Sequence, residues 1–102
     1  MQAIITENRD KIIELCRRHH VRRLSVFGSA VRDDFDPEHS DVDFLVDFEP
    51  LDEMEYAPNY FGLLRSFDRL LGRKVDLLTE TSIHNPYLQR SIEDDKVALY
   101  AA

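Results

Sequence analysis

Residues 28–48 read GSAVRDDFDPEHSDVDFLVDF, and the fold turns on how they are read. A Gly-Ser pair is followed by a short helix-compatible run, a polar loop and a β-branched, aromatic stretch headed by two aspartates one residue apart. Side chains on a strand alternate between faces, so Asp41 and Asp43 share a side and lie a few ångströms from each other. Carboxylates that close repel, and the repulsion is relieved when one takes up a proton or a cation sits between them. Hard oxygen donors, with no His or Cys on the strand, favour Mg2+ or Mn2+ over zinc. Upstream, Gly28 lets backbone approach a ligand closely. The N–H groups of a helix starting there, with the Ser29 hydroxyl, favour an anion such as phosphate.

Working outward, Leu24, Val26 and Phe27 form a short β-prone run that stops at Gly28. Ser29-Ala30-Val31-Arg32 then opens a helix with Ser29 near its N-cap, and residues 33–40 form a loop. Val42–Phe48 is the second strand. On the N-terminal side, Ile4, Ile5, Ile12, Ile13, Leu15 and Cys16 recur at helical spacing and predict an amphipathic helix over about residues 3–19. On the C-terminal side, residues 49–59, with Pro50 and Pro58, read as a mobile acidic loop. Tyr60–Leu71 reads as a helix closed by Gly72, and residues 73–78 as a third strand. A last helix opens at Asn85 and Pro86 and runs to about Asp95, and residues 97–100 add an edge strand. Strands alternate with helices, which predicts one α/β (α+β) domain over residues 1–102: a small mixed sheet with helices packed mainly on one face.

Asp76, an acid in an apolar strand between Val75 and Leu77, needs a compensating charge or hydrogen bond and is the natural third carboxylate. A turn holding the phosphates of a nucleoside triphosphate and a Mg2+ bridging them to the acids reconciles acidic residues with a polyanion. Two such ions about 3.5–4 Å apart stabilise both the attacking and the leaving oxygen of an in-line displacement.

The whole chain carries 13 basic and 20 acidic residues, a formal charge of −7. That balance argues against a surface that releases counterions from DNA or RNA, so nucleic acid is not an expected partner. Basic residues do cluster at 17–23, where a local positive patch is expected. The lone Cys16 excludes an internal disulfide and fits a reducing compartment. No stretch has the length and apolarity of a membrane span or the pattern of a signal peptide, so a cytoplasmic protein without membrane attachment is expected.

Gly28-Ser29, Asp41-Val42-Asp43 and the later Asp76 resemble the nucleotidyltransferase superfamily of DNA polymerase beta and kanamycin nucleotidyltransferase. The run Ser40–Phe48 and the start Gly28-Ser29-Ala30-Val31-Arg32 look most like the minimal nucleotidyltransferases, the MNT antitoxins encoded beside HEPN toxins, and the likeness covers essentially the whole chain. It implies an antitoxin that uses Mg2+ to transfer AMP from ATP to a tyrosine of a partner HEPN ribonuclease. On this likeness Asp41, Asp43 and Asp76 are metal ligands and catalytic groups, with Asp76 positioning or deprotonating the nucleophile. Gly28, Ser29 and Arg32 form the nucleotide-binding group. The helical substrate domain of larger relatives is missing, so the acceptor is expected from another molecule. Two alternatives stand beside this: a binding module that masks a toxin through the acidic segment around Asp52, Glu53 and Glu55, and the catalytic subunit of a two-chain enzyme that adenylylates a small molecule.

The same residues also have structural readings. Asp41 and Asp43 can be a turn acid and a strand-start acid, Gly28-Ser29 an ordinary turn, and Asp76 an acid paired with Arg73 or Lys74. Arg32 can reach a phosphate or pair with Asp33, Asp34 or Asp36. Asp47 is read as a surface acid or one placed behind the ligands rather than a ligand itself, His19-His20 as a solvated helix end and Cys16 as a core residue. The tyrosines are read mainly as packing residues, with Tyr56 and Tyr60 able to line the cleft.

Overall fold

The computed structural model describes residues 1–32 and 34–102. Helices α1 (Ala3–Thr6) and α2 (Arg9–Arg18) lead into strand β1 (Val21–Phe27). Strand β2 (Val42–Phe48), helix α3 (Glu53–Leu71), strand β3 (Val75–Thr79), helix α4 (Pro86–Asp95) and strand β4 (Val97–Ala101) follow. The sheet order is β3-β2-β1-β4, with β2 and β3 parallel and the other neighbours antiparallel. This is the mixed sheet the sequence predicts.

Alternation along the strands gives the sheet two unequal faces. Val42, Phe44, Val46 and Phe48 of β2, with Val75 and Leu77 of β3, join Ile5, Ile12, Cys16, Leu63, Phe67 and Leu71 in the main core. Phe44 and Phe67, both fully buried, meet with ring centroids 4.8 Å apart; burying one such ring contributes about 2–3 kcal/mol. Among the described residues the opposite face carries a smaller cluster of Phe27, Leu45, Ile83 and Ile92, with Leu78 against it. Helix α4 supplies Ile92 and covers that face in part. The odd-phase residues of β2, Asp43 among them, therefore lie on the thinly covered side.

Four segments depart from the sequence reading. The first helix is broken at Glu7 and Asn8: Asn8 leaves helical geometry at φ −105°, ψ 9°, and its side-chain amide donates to the Ile4 carbonyl, a local bond that competes with the helix ladder. No helix starts at Ser29. Residues 28–30 form a single 3-10 turn whose N-cap position is Phe27, with Ser29 inside the turn rather than at its cap. The segment read as an acidic loop at 49–59 is mostly helix, because Asp52 caps α3 by accepting from the Glu55 N–H and Glu53 and Glu55 complement the positive end of the helix dipole. Pro58 sits inside that helix. The acceptor it deprives of a partner is the Met54 carbonyl, on a residue 88% exposed and thus open to water. Finally, β1 begins three residues early, and a register irregularity between Val21 and Arg23 acts as a bulge. It brings both Arg22 and Arg23 to Asp47 Oδ2, at 2.9 and 3.0 Å. That pairing engages part of the expected basic patch and accounts for Asp47 structurally.

The remaining punctuation is where the sequence places it. Gly72 ends α3 at φ 64° with its N–H on the Asp68 carbonyl, and Asn85 caps α4 by accepting from the Tyr87 and Leu88 N–H groups. Strand β3 is an edge, and side chains engage its outer backbone: Asp68 accepts from the Val75 N–H, Tyr60 donates to the Leu77 carbonyl, and Ser82 bonds to Thr79. Such bonds blunt an edge against further strand pairing. Among the described residues no helix is long and apolar enough to cross a membrane.

Candidate active site

Strand register brings the candidate residues together. Phe27, the last residue of β1, pairs with Asp43, and Asp43 pairs with Asp76 across the parallel β2–β3 ladder. Three adjacent strands thus carry the Gly28 turn, Asp43 and Asp76 at one level of the sheet. Gly28 is buried, with φ +73°, and a Cβ built on it would stand 2.6 Å from Asp43 Oδ2. The turn and the carboxylate are in contact, and only glycine leaves room for both.

Asp43 is the electrostatic centre of this cluster. Partial burial, a hydrogen bond with Asp76, and the charges of Asp76 and Asp41 push its carboxyl up to about 6, with Arg32 acting in the opposite direction. Crowding by like charges makes Asp43 hold its proton to a higher pH than an isolated carboxyl does. Asp41 and Asp76 meet through a third party: Lys74 Nζ lies 3.8 Å from Asp41 Oδ2 and 3.7 Å from Asp76 Oδ1. The three acids are therefore grouped but not closed around a point. Among the described residues no three His, Cys, Asp or Glu side chains form a ready cage for an ion. The donor set still suits Mg2+, which takes one or two carboxylates, keeps several waters and completes its shell with substrate phosphates. The acids are open enough for that, with side chains of Asp41 and Asp76 41% and 39% exposed.

The other candidates are placed as follows. Ser29 is half-buried in the turn beside Gly28. A three-residue 3-10 turn has no helix macrodipole of consequence, so an anion placed here would have to be held by the Ser29 hydroxyl and the amides of the turn. Arg32 is exposed and paired, at 3.3 Å from Asp34 Oδ1 and 2.7 Å from Asp95 Oδ2. Of its alternatives, Asp34 is satisfied and Asp33 lies outside the described residues. Asp95, the last residue of α4, was not foreseen, and no local pattern links positions 63 residues apart. Asp36 instead bonds to the Glu38 N–H, His39 and Ser40, closing the loop on itself. Arg73 ties that loop to β3 by donating to the Pro37 and Ser40 carbonyls. The sequence marks Lys74 as a structural partner of Asp76, and nothing local to it signals its contact with Asp41.

The raised Asp43 value has a consequence for stability. A carboxyl whose folded value lies above its ordinary value of 3.8 binds more protons folded than unfolded, so its stabilising contribution is complete below about pH 4 and is lost as pH rises through about 6. In EDTA, denaturant unfolding at pH 4.5 and 7.5 is expected to show a loss of about 1–2 kcal/mol in wild type relative to Asp43→Asn, allowing for solvent screening. An identical pH dependence in the two proteins contradicts the placement of Asp43.

Residues 9–99 match the family described as Nucleotidyltransferase domain. The chain belongs to that family. This nucleotidyltransferase is 36% identical over 95 residues to a Methanocaldococcus jannaschii protein named as a candidate protein adenylyltransferase, spanning 85% of this chain and 93% of the relative. It is 39% identical over 83 residues to protein adenylyltransferase MntA of Thermococcus cleftensis, spanning 81% of this chain and 77% of the relative. A solved structure described as a candidate minimal nucleotidyltransferase superposes with a TM-score of 0.73 at 31% identity, over 91% of this chain and 90% of the other. A tri-AMPylated HEPN toxin in complex with MNT antitoxin, from Shewanella oneidensis, contains a chain that shares the fold, with a TM-score of 0.63 at 23% identity, over 95% of this chain and 72% of the other.

Proposed function

We propose that this nucleotidyltransferase acts as an antitoxin, transferring AMP from ATP to a tyrosine hydroxyl of a partner HEPN protein in a Mg2+-dependent reaction. The observation that supports this most is the alignment of the Gly28 turn, Asp43 and Asp76 on three neighbouring strands. Asp41, Asp43 and Asp76 are the ligands that hold Mg2+, which supplies charge stabilisation at the phosphoryl oxygens when bound. Ser29 and the turn amides hold the terminal phosphates. Asp76 takes the proton of the acceptor hydroxyl as its oxygen attacks the α-phosphorus, and the bond to pyrophosphate breaks in line. The protein relatives named as adenylyltransferases support AMP as the group transferred, and the antitoxin complex supports a HEPN acceptor. In this reading Arg32 is a steering charge near Asp43 that leaves Asp34 and Asp95 when phosphate arrives.

A second reading, masking of the toxin by binding alone, is favoured by one feature. Met54, Tyr56 and Phe61 are exposed on α3, next to Asp52, Glu53 and Glu55 at its acidic start. The test is to incubate the chain with the HEPN product of a neighbouring gene, Mg2+ and α-labelled ATP, following both label and ribonuclease activity. The expected result is label on a partner tyrosine and silenced ribonuclease, both lost in Asp41→Asn. Silencing that survives in Asp41→Asn without label supports masking. Label on a small molecule such as an aminoglycoside overturns both.

A further inference from the structure

The contact of Lys74 with two of the three acids has no part in the reaction described above. Its backbone is fixed: the Lys74 carbonyl accepts from the Val42 N–H at the head of β2, and Arg73 before it is tied to the 37–40 loop. Its side chain is 71% exposed, and its ammonium stands 3.8 and 3.7 Å from Asp41 and Asp76. Those distances are ion-pair rather than hydrogen-bond distances, so the ammonium is held by charge alone and leaves easily.

We propose that Lys74 is a positioning residue: a resident counter-cation that competes with the divalent ion for Asp41 and Asp76 and yields when a nucleotide arrives. The inference rests on the metal role of those acids proposed above. Without ligand, the ammonium keeps Asp41 and Asp76 facing each other and lowers the gain from binding a free divalent ion. A triphosphate offers the mobile ammonium another anion within reach of its four-carbon stem, which frees the acids for the metal. Metal and nucleotide therefore bind more tightly together than apart, and by linkage each strengthens the other by the same factor.

Calorimetric titration with Mn2+, alone and with a non-hydrolysable ATP analogue, tests this in wild type, Lys74→Met, Lys74→Arg and Asp41→Asn. Lys74→Met is expected to bind Mn2+ alone about three- to tenfold more tightly than wild type, the range that two exposed ion pairs can hold. The factor by which the analogue tightens Mn2+ binding is expected to shrink correspondingly, while Lys74→Arg stays near wild type. Thermal unfolding checks that each variant is folded. Lys74→Met that is folded yet binds Mn2+ no more tightly overturns the inference, provided Asp41→Asn weakens binding. Mn2+ binding that is indifferent to Asp41→Asn overturns instead the metal role of the acids, and the inference with it.

Discussion

Asp43→Asn is expected to lose at least about 10³-fold in AMP transfer, since on the proposed metal role of Asp43 it forfeits several kcal/mol of transition-state stabilisation, and yet to gain stability. At pH 8 without divalent ions, the wild-type site holds Asp43 beside Asp76 and Asp41 with part of its surface out of water. Replacing the charge with an amide of the same shape removes the repulsion and leaves a hydrogen-bonding group facing Asp76. A gain of about 1 kcal/mol follows, read as a higher denaturant midpoint with unchanged slope. Excess Mg2+ and ATP are expected to narrow the gap by stabilising wild type more than the variant. A variant that is both inactive and less stable contradicts the electrostatic account and points to Asp43 as a packing residue.

Gly28→Ala is expected to damage activity far more than a methyl added at Gly72. The residue has φ +73°, a region that costs a side-chain-bearing residue about 1–2 kcal/mol. The new methyl also meets Asp43 Oδ2 at 2.6 Å, so the carboxylate must turn away from its partner acid. Gly72→Ala is the matched control. Its φ is +64° with nothing within 4 Å of an added Cβ, so it carries the backbone strain without the displacement. Both variants are expected to lose about 1–2 kcal/mol in denaturant unfolding, but only Gly28→Ala loses AMP transfer, by 10²-fold or more, in line with the effect of misplacing a catalytic group by about 1 Å. Equal activities in the two contradict a site built against the Gly28 turn.

How far the sequence carried the reading depended on whether the deciding interaction was local. Gly72, Asn85 and Pro86 act within a few residues of themselves, and the ends of α3 and α4 lie where their chemistry puts them. The apolar alternation of residues 42–48 gave β2 with its bounds. Pro50 and Pro58 were over-read, because the cap at Asp52 and the acidic first turn outweigh one missing backbone bond on an exposed face. Ser29 was over-read in the opposite direction: Gly28-Ser29-Ala30 makes one 3-10 turn, and the chain then leaves it without continuing into a helix. Within the site, Asp43 lies on β2 at the phase that strand periodicity predicts, whereas Asp41, read as a strand residue, lies one position ahead of β2, and its charge still acts on Asp43. That Asp76 pairs in register with Asp43 depends on the parallel ladder, which no local pattern encodes. The same holds for the Arg32–Asp95 and Lys74–Asp41 contacts, made between elements far apart in sequence.

The most direct test of the site is anomalous diffraction from crystals grown with Mn2+ and a non-hydrolysable ATP analogue. The account predicts Mn2+ peaks at coordination distance, about 2.0–2.3 Å, from carboxylate oxygens of Asp41 and Asp43, with Asp76 on the same ion or its neighbour and the terminal phosphates against Gly28 and Ser29. Mn2+ bound elsewhere, or phosphates seated away from the 28–29 turn, contradicts it.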